Sequence, residues 1–318
     1  MGLFLTMKNH WSDFWRSGHT TTFGAYYEKG YEGSIGEWWQ QILSGMEEGQ
    51  TILDVGCGNT ALLTNLLQDG KALKYIGLDV ADIQINSIAQ DLLWQAVYPP
   101  EILSGTAAEE IPLASAQVDQ VVSIFGLEYS DLSRSVPELF RVLKAGGGIS
   151  LLLHHSASIV TRMSKKAVDE YIEADINQAI QSLQVIEDVQ RHEGKAGLKQ
   201  SPEAEGARGQ VNHLASKYLS DTNPATANAT MFEFMTQVLK YFRVINHDQE
   251  QRQAFIDNLA REFVSYRLRF EEMVSVAKDN TGISEFQQLF QQVGLEMLEC
   301  KEIYDEKGLL AWSVTGKK

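Results

Sequence analysis

The sequence predicts an α/β fold in which a doubly wound, mostly parallel sheet ends in an antiparallel hairpin and is interrupted by a large α-helical insertion. Three observations support this prediction. Residues 51–156 alternate strand-like and helix-like segments, which requires crossover connections between parallel strands. Residues 157–282 have a helical pattern almost throughout. Beyond residue 282, one amphipathic helix precedes two strand-like segments.

The alternation begins with the short apolar strand TILDV at 51–55, which runs into the glycine-rich stretch GCGN. Apolar periodicity and the glycine positions define the rest. The predicted elements that follow are a helix at 60–67, a strand at 72–80, a helix at 83–94, strands over EILSG, VDQVVSIF and GGISLLLHH, and, between the last two strands, a helix over PELFRVLKAG that its glycine ends.

Within residues 157–282, apolar residues recur every three or four positions from Phe255 to Met273, which predicts one apolar stripe along a helix. The segments 164–190 and 229–245 show the same periodicity, and we expect these stripes to form the core of a helical subdomain. The segment 193–210 is rich in glycine and charge, which predicts a mobile loop.

The last part of the chain predicts a helix over SEFQQLFQQVG that ends at Gly294. Two strand candidates follow, LEMLECKEIY and LLAWSVTG, and they are joined by DEKG. Because the glycine of this turn permits a positive φ, we expect the two strands to form an antiparallel hairpin.

The chain of 318 residues carries 27 Lys+Arg against 42 Asp+Glu, a formal net charge of −15. This acidity argues against a general nucleic-acid binder, since phosphate binding needs clustered cations. No apolar run approaches the ~20 residues that span a bilayer, so no membrane partner is expected. The two cysteines, Cys57 and Cys300, are too few for a disulfide framework, and the N-terminus lacks the basic region of a signal peptide. We therefore expect a reducing cytoplasm.

Gly56 and Gly58 lie between the first strand and the helix after it, where the missing side chains let the backbone approach a ligand closely. Asp79 ends the next strand, at a position that suits a carboxylate accepting hydrogen bonds from ribose hydroxyls. Gly56, Gly58 and Ala61 also satisfy the relaxed dinucleotide fingerprint G-x-G-x-x-G/A. These residues alone leave an NAD-dependent oxidoreductase open.

Several motifs, in order, resemble those of the class I S-adenosylmethionine-dependent methyltransferases. LDVGCGN resembles the first motif of that family, and GLDV resembles its acidic second-strand end. TAAEEIP is similar to the stretch after the third strand, VDQVVSIFGLEYSD to the fourth-strand motif, and LFRVLKAGGG to the helix and turn before the fifth strand. The resemblance covers residues 51–156 and, in pattern, 283–318. It implies a Rossmann-like methyltransferase sheet, S-adenosyl-L-methionine as cofactor, and methyl transfer.

The resemblance also implies roles for individual residues. Asp79 is expected to hold both ribose hydroxyls, and Val80 is expected to line the adenine. Ala107 stands where the family has an acidic residue for the adenine amino group, which leaves the backbone N–H of Ala108 for the adenine ring. At the methionine end, the expected cofactor-binding residues are Asp54 near the methionine group, Gly56, Cys57 and Gly58 wrapping it, and Phe125 and Gly126 facing the sulfonium. Cys57 is a candidate reactive thiol, but we interpret it as a small filler.

Methyl transfer is an in-line displacement at a carbon activated by positive sulfur, so the protein chiefly places the nucleophile, excludes water and, for some acceptors, removes a proton. Substrate-side residues such as Tyr129 are expected beyond the carboxyl ends of the strands. His154 or His155 would be a general base near neutral pH, and strand alternation lets at most one of them face the site. The candidate catalytic residues are His154, His155, Glu128 and Tyr27. The other histidines show no metal-ligand spacing, so no metal is expected.

Three parts of the chain receive different expected roles. Residues 1–50 are dense in aromatic residues, among them Trp11 and Trp15, and we interpret them as a lid over the cofactor, as a helix anchored on the sheet, or as both. Residues 51–156 and 283–318 form the expected cofactor-binding core. Residues 157–282 are expected to be a substrate-cap or oligomerisation subdomain over the acceptor pocket. They hold 15 of the 27 Lys+Arg residues, which is compatible with an anionic acceptor.

We expect a small-molecule acceptor and a homodimer formed through the insertion. Three alternatives stay open. One is methylation of a protein or an RNA, with the insertion as docking surface. Another is a non-catalytic scaffold, which the departure at Ala107 allows. The third, an NAD-dependent oxidoreductase, is disfavoured by the terminal hairpin and by the LFRVLKAGGG turn.

Overall fold

A seven-stranded mixed sheet forms the centre of the fold, with the strands in the spatial order β3-β2-β1-β4-β5-β7-β6. The computed structural model describes residues 10–23, 29–223 and 225–318. The strands are β1 (Thr51–Val55), β2 (Lys74–Asp79), β3 (Glu101–Ser104), β4 (Val118–Ile124), β5 (Leu143–His154), β6 (Glu296–Asp305) and β7 (Gly308–Lys317).

Helices connect the strands and make up most of residues 159–292. Residues 10–16 are helical and are called α1. The later helices are α2 (Gly33–Ser44), α3 (Ala61–Asp69), α4 (Ser87–Leu92), α5 (Leu132–Val142), α6 (Ile159–Asp169), α7 (Glu173–Gln200), α8 (Pro202–Leu219), α9 (Ala229–Val244), α10 (Gln249–Val276) and α11 (Asn280–Gln292).

The pairing of the strands confirms the predicted fold class. β1 is parallel to β2 on one side and to β4 on the other, and β4 is parallel to β5. β7 is antiparallel to both β5 and β6, so the sheet ends in the expected hairpin. The chain builds one half of the sheet outward from β1 and then returns to build the other half from β4. Such a reversal opens a crevice at the carboxyl ends of the two central strands.

Strand β1 is buried along its whole length, and its side chains alternate between two apolar cores. Leu53 belongs to the core that contains Phe286 of α11, whereas Ile52 belongs to the core that contains Trp39 of α2. This alternation follows from the two-residue period of a strand. Each fully buried side chain of this size contributes about 1.5–3 kcal/mol. The cores therefore hold the helices on both faces of the sheet.

The terminal hairpin turns where the sequence predicts, between Asp305 and Gly308. The Lys307 backbone N–H donates to Asp305 Oδ1 at 2.7 Å. Gly308 has φ +127°, a conformation that favours glycine. The local sequence therefore determines this turn.

Two predicted helix boundaries are wrong. The helix predicted at 83–94 begins only at Ser87, because Asn86 caps it by accepting a hydrogen bond from the Ala89 N–H. The helix over PELFRVLKAG ends at Val142, before its glycine. The carbonyls of Arg141 and Val142 accept hydrogen bonds from the backbone just before β4, so the chain passes directly into β5. Hydrogen bonds to a segment distant in sequence therefore end this helix, and its glycine does not.

The mobile loop predicted at 193–210 is also wrong, because this segment is helical. α7 continues to Gln200, with a kink at Gly194, whose φ is +66°. α8 begins at Pro202, and the Ser201 side chain accepts a hydrogen bond from the Ala204 N–H. Proline in the first helical turn and serine at the N-cap are favourable start signals, so the glycine-rich composition did not prevent helix formation.

Residues 164–271 form a compact unit by themselves, and the rest of the described chain forms another. The helical unit has its own apolar core, which includes Phe234 and Phe263. An ion pair lies inside it: the Arg252 guanidinium donates to both carboxylate oxygens of Glu187, at 2.7 and 2.9 Å. The Tyr241 hydroxyl donates to the same carboxylate at 2.7 Å. Glu187 is fully buried, so its charge depends on these partners.

Among the described residues, no helix is both long enough and apolar enough to cross a membrane.

Replacing Glu187 by Ala should lower the free energy of unfolding of the helical unit by about 3–5 kcal/mol, because the substitution leaves the Arg252 guanidinium buried without its counter-ion. Urea denaturation followed by circular dichroism measures the change. The neighbouring Asp188→Ala is the matched control, since Asp188 makes a surface ion pair with Arg191. Its loss should cost less than about 1 kcal/mol. Equal losses in the two variants would contradict the prediction.

Candidate functional site

A cleft opens at the carboxyl ends of β1, β2 and β4, where the strand order predicts a crevice. It encloses about 900 Å³, part of which is open to solvent. Eight of the ten residues predicted to bind the cofactor line this cleft: Gly56, Cys57, Gly58, Asp79, Val80, Ala108, Phe125 and Gly126.

The glycine turn after β1 packs tightly against its surroundings. Gly56 has φ +71°, and a Cβ on it would lie 2.7 Å from the Cα of Gly126. Gly58 has φ +49°, and a Cβ there would lie 2.5 Å from a ring carbon of Trp15. The N–H groups of Gly56 and Cys57 donate to the Leu78 carbonyl at 2.9 and 3.1 Å. Both glycines are therefore required by backbone conformation and by space.

Asp79 is buried at the end of β2, and its two oxygens are held by backbone donors. The Gly58 N–H donates to Oδ2 at 2.9 Å, and the Ala81 N–H donates to Oδ1 at 2.8 Å. Burial raises the pKa of Asp79 to about 6, although the two backbone hydrogen bonds lower it. Each carboxylate oxygen has a second lone pair. The carboxylate therefore keeps the capacity to accept two more hydrogen bonds, as a ribose diol requires.

Asp54 is also buried, but it is not among the residues that line the cleft. Its Oδ2 accepts a hydrogen bond from the Tyr75 hydroxyl at 2.7 Å. Burial raises the pKa of Asp54 to about 7, the Tyr75 hydrogen bond lowers it, and the nearby Asp79 carboxylate raises it further. The structure therefore places this carboxyl behind the glycine turn, next to Tyr75.

Cys57 lines the cleft, and burial raises the pKa of its thiol well above the usual range. The thiol is therefore protonated near neutral pH and is a poor nucleophile. Ala108 lines the cleft, whereas Ala107 does not. Glu109 also lines it, and its Oε1 accepts a hydrogen bond from the Asp131 N–H at 2.7 Å.

Phe125 follows β4 with φ +55°, which is unusual for a bulky residue. Strained backbone of this kind clusters at functional sites. The Ser123 hydroxyl donates to the Val55 carbonyl at 2.7 Å and accepts from the Leu127 N–H at 2.9 Å. This hydroxyl therefore ties the ends of β1 and β4 together beneath the Phe125 backbone.

The Phe125 ring stacks on the imidazole of His154, with ring centroids 4.4 Å apart. His154 is buried and does not line the cleft, and burial lowers its pKa to about 3. Its Nε2 lies 3.2 Å from the hydroxyl of Tyr129, which does line the cleft. Oε1 of Glu128 accepts from the His154 backbone N–H at 3.0 Å, and burial raises the pKa of Glu128 to about 7. Tyr129 thus lies between this buried pair and the cleft.

The side chain of His155 points to the opposite side of the sheet from that of His154, as strand alternation predicts. Its ring stacks on Trp312 at 4.5 Å, and its Nε2 lies 3.4 Å from Glu302 Oε1. Its Nδ1 accepts a hydrogen bond from the Ala157 N–H. These contacts hold the His155 side chain against β6 and β7 and outside the cleft lining. Tyr27, the remaining candidate catalytic residue, lies outside the described residues.

Residues of the N-terminal segment form one wall of the cleft. Trp11 and Trp15 line it and stack on each other, with ring centroids 6.3 Å apart. The Asn59 side-chain amide donates to the backbone carbonyls of Trp15 and His19, both at 2.8 Å. Asn59 directly follows the glycine turn, so helix α1 is anchored at the site that it helps to enclose. These contacts are those of an anchored helix, and the lid role of this segment stays a prediction.

Several lining residues were not predicted from the sequence: Thr20, Thr22, Tyr31, Thr106, Glu109 and Ser130. Thr106 and Glu109 lie in the TAAEEIP stretch, whose likeness to the family pattern was a signal for them. Thr20 and Thr22 lie in a run of three threonines that matches no motif of the site, so only the tertiary structure identifies them. In the part of the chain that the structure describes, no three or more His, Cys, Asp or Glu side chains are grouped to hold a metal ion.

Comparison with known proteins identifies the domain. Residues 53–151 match the family model of the methyltransferase domain. Over 126 residues the chain is 31% identical to the U6 snRNA (guanine-N(2))-methyltransferase THUMPD2 of Bos taurus, a stretch that covers 37% of this chain and 25% of the relative. It is 30% identical over 136 residues to the chloroplastic 2-phytyl-1,4-beta-naphthoquinone methyltransferase of Arabidopsis thaliana, covering 41% of this chain and 52% of the relative.

Residues 53–151 therefore match a methyltransferase domain, which confirms the methyltransferase resemblance drawn from the motifs. A solved S-adenosylmethionine-dependent methyltransferase from Archaeoglobus fulgidus covers 89% of this chain and 93% of its own, at 9% identity and a TM-score of 0.42, which is too low to add to the assignment. The chain spans only a quarter of the bovine relative and about half of the plant one.

Asp54→Asn should make the stability of the protein less dependent on pH. Because the folded-state pKa is raised to about 7 from 3.8, the native carboxyl keeps a proton between about pH 4 and 7 that the unfolded chain releases. The native state binds more protons there, so this stabilising contribution is present below pH 4 and is lost as the pH rises through 7.

Urea denaturation of the wild type and of Asp54→Asn at pH 5 and pH 8 measures the difference. The wild type should lose more stability than the variant over this interval. The exposed Asp91→Asn is the control and should follow the wild type. Parallel pH dependences in Asp54→Asn and the wild type would mean that Asp54 ionises normally in the native state.

Proposed function

We propose that this methyltransferase-domain chain transfers the methyl group of S-adenosyl-L-methionine to a small-molecule acceptor by in-line displacement. The observation that carries the proposal is the arrangement at the ends of β1 and β2. A turn that cannot accept a Cβ at Gly56 or Gly58 lies beside the buried carboxylate of Asp79, and both open into one cleft. This arrangement leaves room for a ligand against the backbone and provides a carboxylate for a diol.

The residues that would hold the cofactor follow from this arrangement. Asp79 would accept hydrogen bonds from both ribose hydroxyls, and Val80 and the Ala108 backbone would contact the adenine. Asp54 would support the glycine turn without contacting the cofactor, because its carboxylate accepts a hydrogen bond from Tyr75 and does not line the cleft. The turn residues Gly56, Cys57 and Gly58, with Ala107 nearby, would surround the cofactor. Phe125 and Gly126 would lie beside its sulfonium.

The bound cofactor would supply a methyl group already activated by positive sulfur. The protein then has to place the acceptor atom in line and exclude water. We assign acceptor placement to Tyr129, because it lines the cleft and its hydroxyl lies 3.2 Å from His154 Nε2. With a pKa lowered to about 3, His154 is neutral at pH 7. Its role would be to orient the Tyr129 hydroxyl, and Glu128 would support the His154 backbone.

The lining of the cleft favours a small, uncharged acceptor. Trp11, Trp15, Phe125 and Tyr129 supply aromatic surface, and no lysine or arginine occurs among the described residues that line it. Such a cleft offers aromatic contacts and hydroxyl groups, but no cation for a phosphate backbone. RNA is the second candidate acceptor, favoured by the likeness to a U6 snRNA methyltransferase. The net charge of −15 opposes it.

Methyl incorporation tests the choice of acceptor. The protein is incubated with radiolabelled S-adenosyl-L-methionine and, separately, with the metabolite, RNA and protein fractions of one cell extract. Label in the metabolite fraction supports the proposal, and label only in RNA or protein identifies the alternative acceptor. Binding of the cofactor without transfer to any fraction would support the non-catalytic scaffold.

Three further proposals concern the whole chain. Residues 1–50 act as a lid, residues 157–282 act as a substrate cap or oligomerisation module, and a homodimer forms through that module. Sedimentation equilibrium of the wild type tests the dimer. We also propose a reducing cytoplasm, since both cysteines are free thiols in the structure.

Asp79→Ala should weaken binding of S-adenosyl-L-methionine by at least about tenfold, because hydrogen bonds to a charged group contribute about 1.5–3 kcal/mol. Isothermal titration measures the affinity, and titration with NAD tests the oxidoreductase alternative. The exposed Asp69→Ala is the control and should bind as the wild type does. Unchanged affinity in Asp79→Ala would refute the ribose contact, and tight binding of NAD alone would refute the proposed function.

Tyr129→Phe should reduce kcat by about tenfold or more with the acceptor found above, and should leave the affinity for S-adenosyl-L-methionine within about twofold of the wild type. The substitution removes only the hydroxyl that His154 orients. The exposed Tyr304→Phe is the control. A wild-type kcat in Tyr129→Phe would show that its hydroxyl does not act on the acceptor.

A further inference from the structure

The carboxylate of Glu272, near the end of helix α10, contacts two consecutive residues of helix α1. Its Oε2 accepts a hydrogen bond from Trp11 Nε1–H at 2.9 Å. The same oxygen lies 2.9 Å from Nε2 of His10, a buried residue. One oxygen thus contacts two side chains that are more than 260 residues away in sequence.

Trp11 is part of an aromatic row that leads to the glycine turn. Its ring meets the Tyr129 ring edge-to-face, with centroids 5.6 Å apart and planes at 86°. On its other side it stacks on Trp15, whose ring lies against Gly58. Both tryptophans line the cleft. The position of the Trp11 indole therefore affects the wall on both the acceptor side and the cofactor side.

Other contacts also hold helix α1 in this position. The Asn59 side chain binds the Trp15 carbonyl, and the Asp82 N–H donates to the Ser12 hydroxyl at 2.9 Å. These two contacts hold the helix on the sheet. The contact with Glu272 differs from them because it acts on the Trp11 indole itself.

We propose that Glu272 is a positioning residue for cofactor binding, whose carboxylate holds the Trp11 indole in the wall of the cleft. The inference rests on the proposed S-adenosyl-L-methionine site. Without the carboxylate, the indole N–H and the buried His10 lose this shared contact, and the wall is formed in only a fraction of the molecules. The apparent dissociation constant then rises by the inverse of that fraction. Glu272 lies outside every motif of the cofactor-binding core.

Isothermal titration with S-adenosyl-L-methionine tests the proposal. Glu272→Ala should bind about tenfold more weakly, as expected if the wall is formed in about one molecule in ten. Glu272→Gln keeps an acceptor oxygen for the indole and should recover part of the loss. The adjacent Glu271→Ala is the matched control, because the exposed Glu271 pairs with Arg267. It should bind as the wild type does.

A double-mutant cycle separates positioning from general destabilisation. Trp11→Phe keeps an aromatic ring but removes the indole N–H, so it should weaken binding, and adding Glu272→Ala should change the affinity little further. Wild-type affinity in Glu272→Ala, or effects that multiply in the double variant, would overturn the inference. If the wild type binds no S-adenosyl-L-methionine, the proposed function is wrong. If the wild type binds it and Glu272→Ala binds it equally well, only the inference about Glu272 is wrong.

Discussion

The close approach of two backbone segments, at Gly56 after β1 and at Gly126 after β4, is the constraint on which the site depends. A Cβ on Gly56 would lie 2.7 Å from the Gly126 Cα, and a Cβ on Gly126 would lie 2.7 Å from the Val55 carbonyl oxygen. The Ser123 hydroxyl ties the same two strand ends together. Beyond this point the chain leaves toward α3 on one side and toward α5 on the other, and the space between them is the cleft.

Burial dominates the electrostatics around this cleft. It raises the pKa of Asp54, Asp79 and Glu128 and lowers the pKa of His154, and in every case burial is the largest cause. Groups withdrawn from water need fixed partners, and each of the carboxylates has them in the backbone or in Tyr75. With its lowered pKa, His154 is poorly suited to act as a general base, and its Nε2 contacts the hydroxyl of Tyr129, which lines the cleft.

The wall of the cleft combines segments from opposite ends of the chain. Helix α1 lies against the loops after β1 and β2, through Asn59 and Asp82, and against the end of α10 through Glu272. None of these contacts is local in sequence. They hold the described part of helix α1 in the wall of the cleft.

The sequence alone predicted the alternation of strands and helices, the glycine turn, the terminal hairpin and the resemblance to a methyltransferase domain, because each depends on local periodicity or on short motifs. The same local information failed at the end of α5 and over residues 193–210. There, carbonyls paired with the chain before β4 and a Ser-Pro helix start outweighed the glycine composition. Only the tertiary structure decided which way His154 and His155 point, and that Glu272 reaches Trp11. Burial and hydrogen bonding between distant segments are properties of the folded chain, and no local pattern encodes them.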